Sequence, residues 1–310
     1  MREFLKTDLW ILDMDSLSKA KARWIKYLKI MLITIQTFAN ERIGFQAVAL
    51  SFYSTMSVVP FLAIIFGITG GLGLADRLKD YLYGYFENSQ QIIDVILGFA
   101  QNIIDTAQSG LMGFFSALIF FYAVIALMLN VERVFNNVWM VEKARNIFKR
   151  LSFIIAMIII SPFVVMVFFA GSFLYSRVLE FAGIDIESLG IFKTILVWTI
   201  FAALATFTFS AMYKYIPNVK VHFSAAFNAA IIAAAAFVIM QYLYMETQIL
   251  VSRINAVYGA FAAVPLFLIW MNVSWVIILI GAEVSHAFQY VDGNPDRYIK
   301  NSNNNSRIGK

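Results

Sequence analysis

Six stretches of the chain run for 20 residues or more without an Asp, Glu, Lys or Arg: 43–75, 111–131, 151–176, 194–213, 221–245 and 254–282. About 20 apolar residues suffice to cross a hydrocarbon core as a helix. None shows the polar/apolar alternation of a barrel strand, and an isolated strand could not satisfy its backbone in lipid. The pattern therefore predicts an all-α, polytopic membrane bundle of six transmembrane helices. Between residues 17 and 40 the apolar positions Trp24, Ile25, Leu28, Leu32 and Ile35 are interleaved with Lys and Arg. That mixture predicts an amphipathic helix lying on the cytoplasmic leaflet. Residues 76–110 form an acidic external insertion with five acids against two bases. Within it Ile92, Ile93, Ile96 and Phe99 recur at helical spacing, and Tyr81, Tyr83, Tyr85 and Phe86 suit an aromatic belt. The expected division is a cytoplasmic segment 1–42, a membrane domain 43–290 and a disordered tail 291–310, with no soluble catalytic domain.

The basic residues orient this bundle. On alternate sides of the six spans, Lys and Arg number 19 against five, the larger group including both termini. Positive charge stays in the cytoplasm, so both ends of the chain are expected there, in the bacterial inner membrane. The first 25 residues lack an apolar h-region, so no cleaved leader is expected. The same partition accounts for the net charge of +5. It leaves no basic cluster beyond what topology requires, and a nucleic-acid partner is not expected.

Composition narrows the chemistry further. The chain has 310 residues, 61% hydrophobic and 14% charged, with a mean hydropathy of +0.74. A soluble domain carries about 25% charge, so an ordinary soluble enzyme is excluded. There is no Cys and there are two His, His222 and His286. Thiolate metal sites are excluded, and a His-rich metal centre is not expected. No phosphate-binding Gly-x4-Gly-Lys-Ser/Thr loop is present, so no cofactor and no intrinsic ATPase are expected.

The residues that interrupt the apolar pattern are the candidates for function. Tyr53 and Pro60 in the first span, and Tyr258 and Pro265 in the last, share a Tyr-x6-Pro spacing with Val before Pro. Broken antiparallel helices can form a midplane site in transporters, and proline kinks can also serve packing alone. The approach to Pro60 is polar through Gln46, Ser51, Tyr53, Ser54, Thr55 and Ser57. These residues would line a path, or bond to their own and neighbouring helices. Glu283 is the acid that extends an apolar run, with Arg42 and Arg133 as candidate partners in an ion pair at the membrane or its interface. Alanines 225, 229 and 233, and 226, 230 and 234, form small-residue stripes suited to close helix approach.

Several segments, in order, resemble one family. They are Gln46-Ala-Val-Ala-Leu-Ser-Phe-Tyr-Ser-Thr-Met-Ser-Val-Val-Pro60, Asn136-Asn-Val-Trp139, Tyr215-Ile-Pro-Asn-Val-Lys-Val221, Tyr258-Gly-Ala-Phe-Ala-Ala-Val-Pro265 and Gly281-Ala-Glu283. Together they resemble the YihY/BrkB family of bacterial inner-membrane proteins over about residues 25–290. The resemblance implies six spans, and it implies serum resistance, export of lipid or envelope precursors, or the older label "ribonuclease BN". RNA hydrolysis needs a convergent base, acid or metal, which the residues do not offer. The reading is a transporter or exporter of a lipid or amphipathic envelope component, with membrane lipids as partners and a homo-oligomer left open. Its path would run beside spans one and six. A non-transporting scaffold is the alternative, and a membrane ribonuclease is the least favoured.

Overall fold

The computed structural model describes residues 18–40, 42–71, 111–141, 145–181, 191–254 and 256–291, with isolated positions between 80 and 102. Among these residues it is all-helical. Seven helices follow in order: α1 (Lys19–Asn40), α2 (Ile43–Gly71), α3 (Leu111–Val138), α4 (Ile147–Phe181), α5 (Ile191–Tyr215), α6 (Phe223–Ile254) and α7 (Ala256–Tyr290). Each apolar stretch of the sequence forms one helix among the described residues, and several helices continue past the charged residue that closes the stretch. The helix α3 runs on through Glu132 and Arg133, and α7 runs through Glu283 to Tyr290. Among the described residues, four stretches are long and apolar enough to cross a membrane: Ile147–Val164, Thr194–Tyr215, Phe223–Leu250 and Val264–Tyr290. The stretch Ile43–Val58 of α2 is apolar but shorter among the described residues.

Helix α7 is the axis of the bundle. It packs most extensively on α6 and also touches α2, α1 and α3, while α6 packs in turn on α5. Small residues explain the α6–α7 seam. Ala225, Ala226, Ala229, Ala230, Ala233 and Ala234 are all buried, one continuous face of α6, while Phe227, Ile231 and Ile232 point outward. Without methylenes between them the backbones approach closely, and dispersion contacts replace the hydrophobic drive that lipid does not supply. Large apolar side chains cover the outside of every helix, from Phe45 at 77% exposure to Phe207 at 74%. Such a surface suits a hydrocarbon solvent and is far larger than a soluble monomer leaves open.

Helix α1 is two-faced in a way the sequence pattern did not anticipate. Ile30, Ile33, Thr34 and Thr37 are buried against the bundle, and the two threonines donate to the carbonyls of Ile30 and Ile33. Its opposite face is also apolar. A turn with Arg42 at φ 50° leads the chain into α2, where the amides of Phe45 and Gln46 donate to the Arg42 carbonyl. The segment 1–17, most of the external insertion including Tyr81, Tyr85, Phe86, Ile92, Ile93, Ile96 and Phe99, and the tail 292–310 lie outside the described residues. Within the insertion, the Tyr83 hydroxyl donates to the Asp94 carboxylate.

Candidate functional site

Three of the segments that carry the family likeness meet at one end of the bundle. The fullest polar organisation is there, at the ends of α3, α5 and α7 and the α5–α6 turn. Helix α3 closes with the amide of Val141 on the Asn136 carbonyl and that of Met140 on Asn137, with Met140 at φ 48°. This is a left-handed cap of the kind glycine usually supplies. The Asn136 side chain then accepts from the Asn218 amide at 2.8 Å, which ties the α3 end to the α5–α6 turn. On the far side of that turn, Gln289 of α7 accepts from the His222 amide at 2.8 Å and donates to the Lys220 carbonyl at 3.1 Å. One turn is thus held from both sides.

Arg145 is the centre of this arrangement. Its Nε donates to Asn218 Oδ1 at 3.3 Å, and Nη2 reaches the carbonyls of Tyr215, Ile216 and Pro217 at 3.1, 3.2 and 3.3 Å. Those carbonyls end α5, where the helix dipole is negative and a cation is favoured. The guanidinium also lies 3.9 Å from the Phe153 ring centroid and 3.9 Å from Glu132 Oε1. Burial lowers the pKa of Arg145 from its usual value, and the Glu132 carboxylate opposes that shift. Glu132 itself is buried and accepts from Arg150 Nε at 2.8 Å. A carboxylate in this setting is tolerable because two cations and a hydrogen bond compensate its lost hydration.

Beside this network lies a group of buried polar side chains. Tyr213 is fully buried between α5 and α7, with ring contacts to Phe135 and Phe209. Its hydroxyl abuts Gly281: a Cβ there would stand 2.1 Å from the Tyr213 oxygen and 2.7 Å from the Ala233 Cβ. Glycine at 281 is therefore a steric requirement of the α5–α6–α7 junction. Ser210 lies one turn before Tyr213, and Ser285 one turn after Gly281, both buried. Trp139 packs edge-on against His286 at 5.3 Å and against Tyr290 at 6.3 Å. Among the described residues, the Trp139 Nε1, the hydroxyls of Ser210, Tyr213 and Ser285 have no hydrogen-bond partner. Glu283 is fully buried among them.

The residues singled out from sequence fall into two groups. Ser51, Ser54 and Ser57 are buried on the α2 face toward α3 and α7, with Gln46 half-buried on the same helix. Ser51 donates to the Val48 carbonyl, and Ser57 to those of Tyr53 and, across to α3, Ala123. Ser54 accepts from the Trp275 indole of α7 at 2.9 Å. Tyr53 is half-buried and touches Phe52. Helices α2 and α7 run unbroken through positions 60 and 265, so neither is a discontinuous helix. Pro265 is exposed, whereas the side chains of Pro60 and Tyr258 lie outside the described residues, so no meeting of the two Tyr-x6-Pro segments is described. Arg42 and Arg133 are exposed while Glu283 is buried; the buried acid of α3 is Glu132, one residue before the Arg133 that the pattern drew attention to. The sequence reading missed Glu132, Arg145, Tyr213 and Gln289.

The Ser54–Trp275 bond gives a direct test of the α2–α7 seam. Ser54→Ala and Trp275→Phe are each expected to destabilise the protein by about 1 kcal/mol, the range of interhelical bonds in membranes. In a double-mutant cycle read by unfolding in detergent, the pair should cost no more than either alone. Full additivity would show that the bond does not form.

A bundle that is all-helical among the described residues, coated in exposed apolar side chains and with its fullest polar network at one end, is a membrane protein. The family described as Virulence factor BrkB matches residues 34–305, and the chain belongs to it. Its relatives include a UPF0761 membrane protein of Janthinobacterium sp. (strain Marseille), 27% identical over 86% of this chain and 61% of that protein. A UPF0761 membrane protein of Vibrio vulnificus (strain YJ016) is 26% identical over 87% of this chain and 83% of its own length. One from Acinetobacter baylyi is 30% identical over 84% and 62%. The chain thus spans about three fifths of the length of the Janthinobacterium and Acinetobacter relatives. No solved structure matches it.

Proposed function

We propose that the chain is a six-span inner-membrane transporter or exporter of a lipid or amphipathic envelope component, with both termini cytoplasmic and α1 at the cytoplasmic interface. The carrying observation is the set of buried polar groups at the α3–α5–α7 end, Trp139, Ser210, Tyr213 and Ser285, which lack hydrogen-bond partners among the described residues. Leaving such groups dry costs about 1–3 kcal/mol each, so a fold retains them where a polar guest or water serves them. The surrounding flanks are apolar enough to keep acyl chains in hydrocarbon while a headgroup enters this region. The route then follows the α2–α7 seam past Gln46, Ser51, Tyr53, Ser54 and Ser57 toward Pro60, Tyr258 and Pro265. In this reading the protein is not an enzyme, uses no cofactor, and has membrane lipids rather than nucleic acid as partners. A non-transporting envelope scaffold is favoured instead by the dense Ala packing of α6 on α7.

Native mass spectrometry of the purified protein separates the two. The transporter should enrich one headgroup class over bulk membrane lipid. A variant with Ser210→Ala, Tyr213→Phe and Ser285→Ala, which removes hydroxyls and little volume, should lose that enrichment while staying folded. Bound lipid that mirrors the membrane in the unaltered protein would favour the scaffold.

A further inference from the structure

The outer face of α1 carries an ordered series of chemistries. Trp24, Tyr27, Met31 and Ile35 are exposed, at 79%, 52%, 52% and 57%, and their spacing of three, four and four residues makes one stripe. At about 100° per residue, Lys21 and Arg23, both exposed, fall on either side of the stripe at its start. Along the helix the surface therefore passes from cation to amphipathic aromatic to purely aliphatic. That is the order a cytoplasmic leaflet presents from phosphate through interface to acyl chain. A second exposed stripe follows on the next helix. After the turn at Arg42, α2 exposes Phe45, Val48, Phe52 and Met56 at the same spacing. The opposite face of α1 is occupied by the bundle, and Tyr27 makes an edge contact with Phe288 of α7 at 6.3 Å.

We infer that this face is a binding site for an anionic phospholipid of the cytoplasmic leaflet. The Lys21 and Arg23 side chains hold the phosphate from two sides, Trp24 and Tyr27 lie at the ester level, and an acyl chain runs along Met31 and Ile35. The occupant is a lipid rather than a protein because the stripe grades from amphipathic aromatic to aliphatic along one helix, α2 exposes a further apolar stripe, and the cations complement an acidic headgroup. Since α1 packs on α7, with Tyr27 against Phe288, lipid bound here presses α1 onto the end of the bundle that holds Glu283 and His286. The inference rests on the cytoplasmic placement of α1 proposed above.

The chain has no Cys, so a single introduced thiol can be labelled cleanly. Spin labels at Met31→Cys and Ile35→Cys would be read for oxygen against nickel-chelate accessibility in the full chain. The vesicles are phosphatidylcholine alone, or the same with phosphatidylglycerol. Both labels should favour oxygen, and more so with phosphatidylglycerol. With Lys21→Gln or Arg23→Gln, about five times more phosphatidylglycerol should be needed for half of the gain in each label's oxygen accessibility, the effect of one basic residue at a charged surface. Neither should change that accessibility in phosphatidylcholine. Labels that stay open to the nickel chelate in both vesicles, or immersion indifferent to lipid charge, would overturn the site. Sidedness is read separately, by reaction of Ser18→Cys with an impermeant maleimide in intact cells. Reaction from outside would overturn the topology, while the vesicle comparison is blind to sidedness.

Discussion

Arg145→Ala is expected to cost about 3 kcal/mol, since removing a part-buried guanidinium leaves the acceptors at the end of α5 without their charged donor. Four hydrogen bonds disappear, to Asn218 and to the carbonyls of Tyr215, Ile216 and Pro217. The Phe153 ring loses its cation, and Glu132 is left with Arg150 alone. The damage should be regional. The end of α5, the α5–α6 turn and the start of α6 would open to hydrogen exchange, while the Ala-packed centre of α6 keeps its protection. Arg145→Lys keeps the charge near Glu132 but cannot reach three carbonyls and a side-chain amide at once, so it should recover less than half of the loss. Unfolding in detergent, with hydrogen exchange on the same variants, reads both effects. If Lys restored full stability, charge alone would explain the site, and the fork geometry would be incidental.

Much of this fold was legible because the two periodicities of a membrane helix are written in the chain. A run without charges marks a helix, and Ala at four-residue spacing marks the face of α6 that meets α7. The serines of α2 were legible as one face, though not as partners: nothing in spacing identifies Trp275 as the donor to Ser54, since 221 residues separate them. Charges were read less well. Treating Asp, Glu, Lys and Arg as limits of the spans puts Glu132 outside, and its partners Arg145 and Arg150 then count only as topology signals. Burial of an acid depends on whether cations from another element arrive beside it, which is a tertiary fact. Glu283 stood out because its surroundings in sequence are apolar, whereas Glu132 is followed at once by Arg133, exposed on the same helix end. The shared Tyr-x6-Pro spacing is a different case. Proline removes one backbone bond, but α7 carries Pro265 without a break, so equal spacing in two helices does not by itself make two discontinuities.

The second large effect concerns Gly281, whose neighbours leave no room for a methyl group. Gly281→Ala places Cβ within 3.0 Å of three atoms, the hydroxyl oxygen and Cζ of Tyr213 and Cβ of Ala233. The Tyr213 ring cannot swing aside, because it is fully buried between Phe135 and Phe209. Ala233 has no side-chain torsion to adjust. The helices must separate, at a cost of about 3 kcal/mol for overpacking a close-packed junction. The geometry also says which changes should compensate. Tyr213→Phe removes the oxygen at 2.1 Å and, because that hydroxyl has no partner among the described residues, should by itself be near neutral. Combined with Gly281→Ala it should recover part of the loss, and Ala233→Gly should recover a further part through the 2.7 Å contact. The rescue must be specific to these two positions: Ala225→Gly, on the same face of α6 but two turns away, should relieve nothing. Thermal unfolding of the single, double and control variants reads this directly. A neutral Gly281→Ala would mean that α5 and α7 stand further apart than this packing requires, and the buried hydroxyls beside them would then have space for a guest without any movement of the helices.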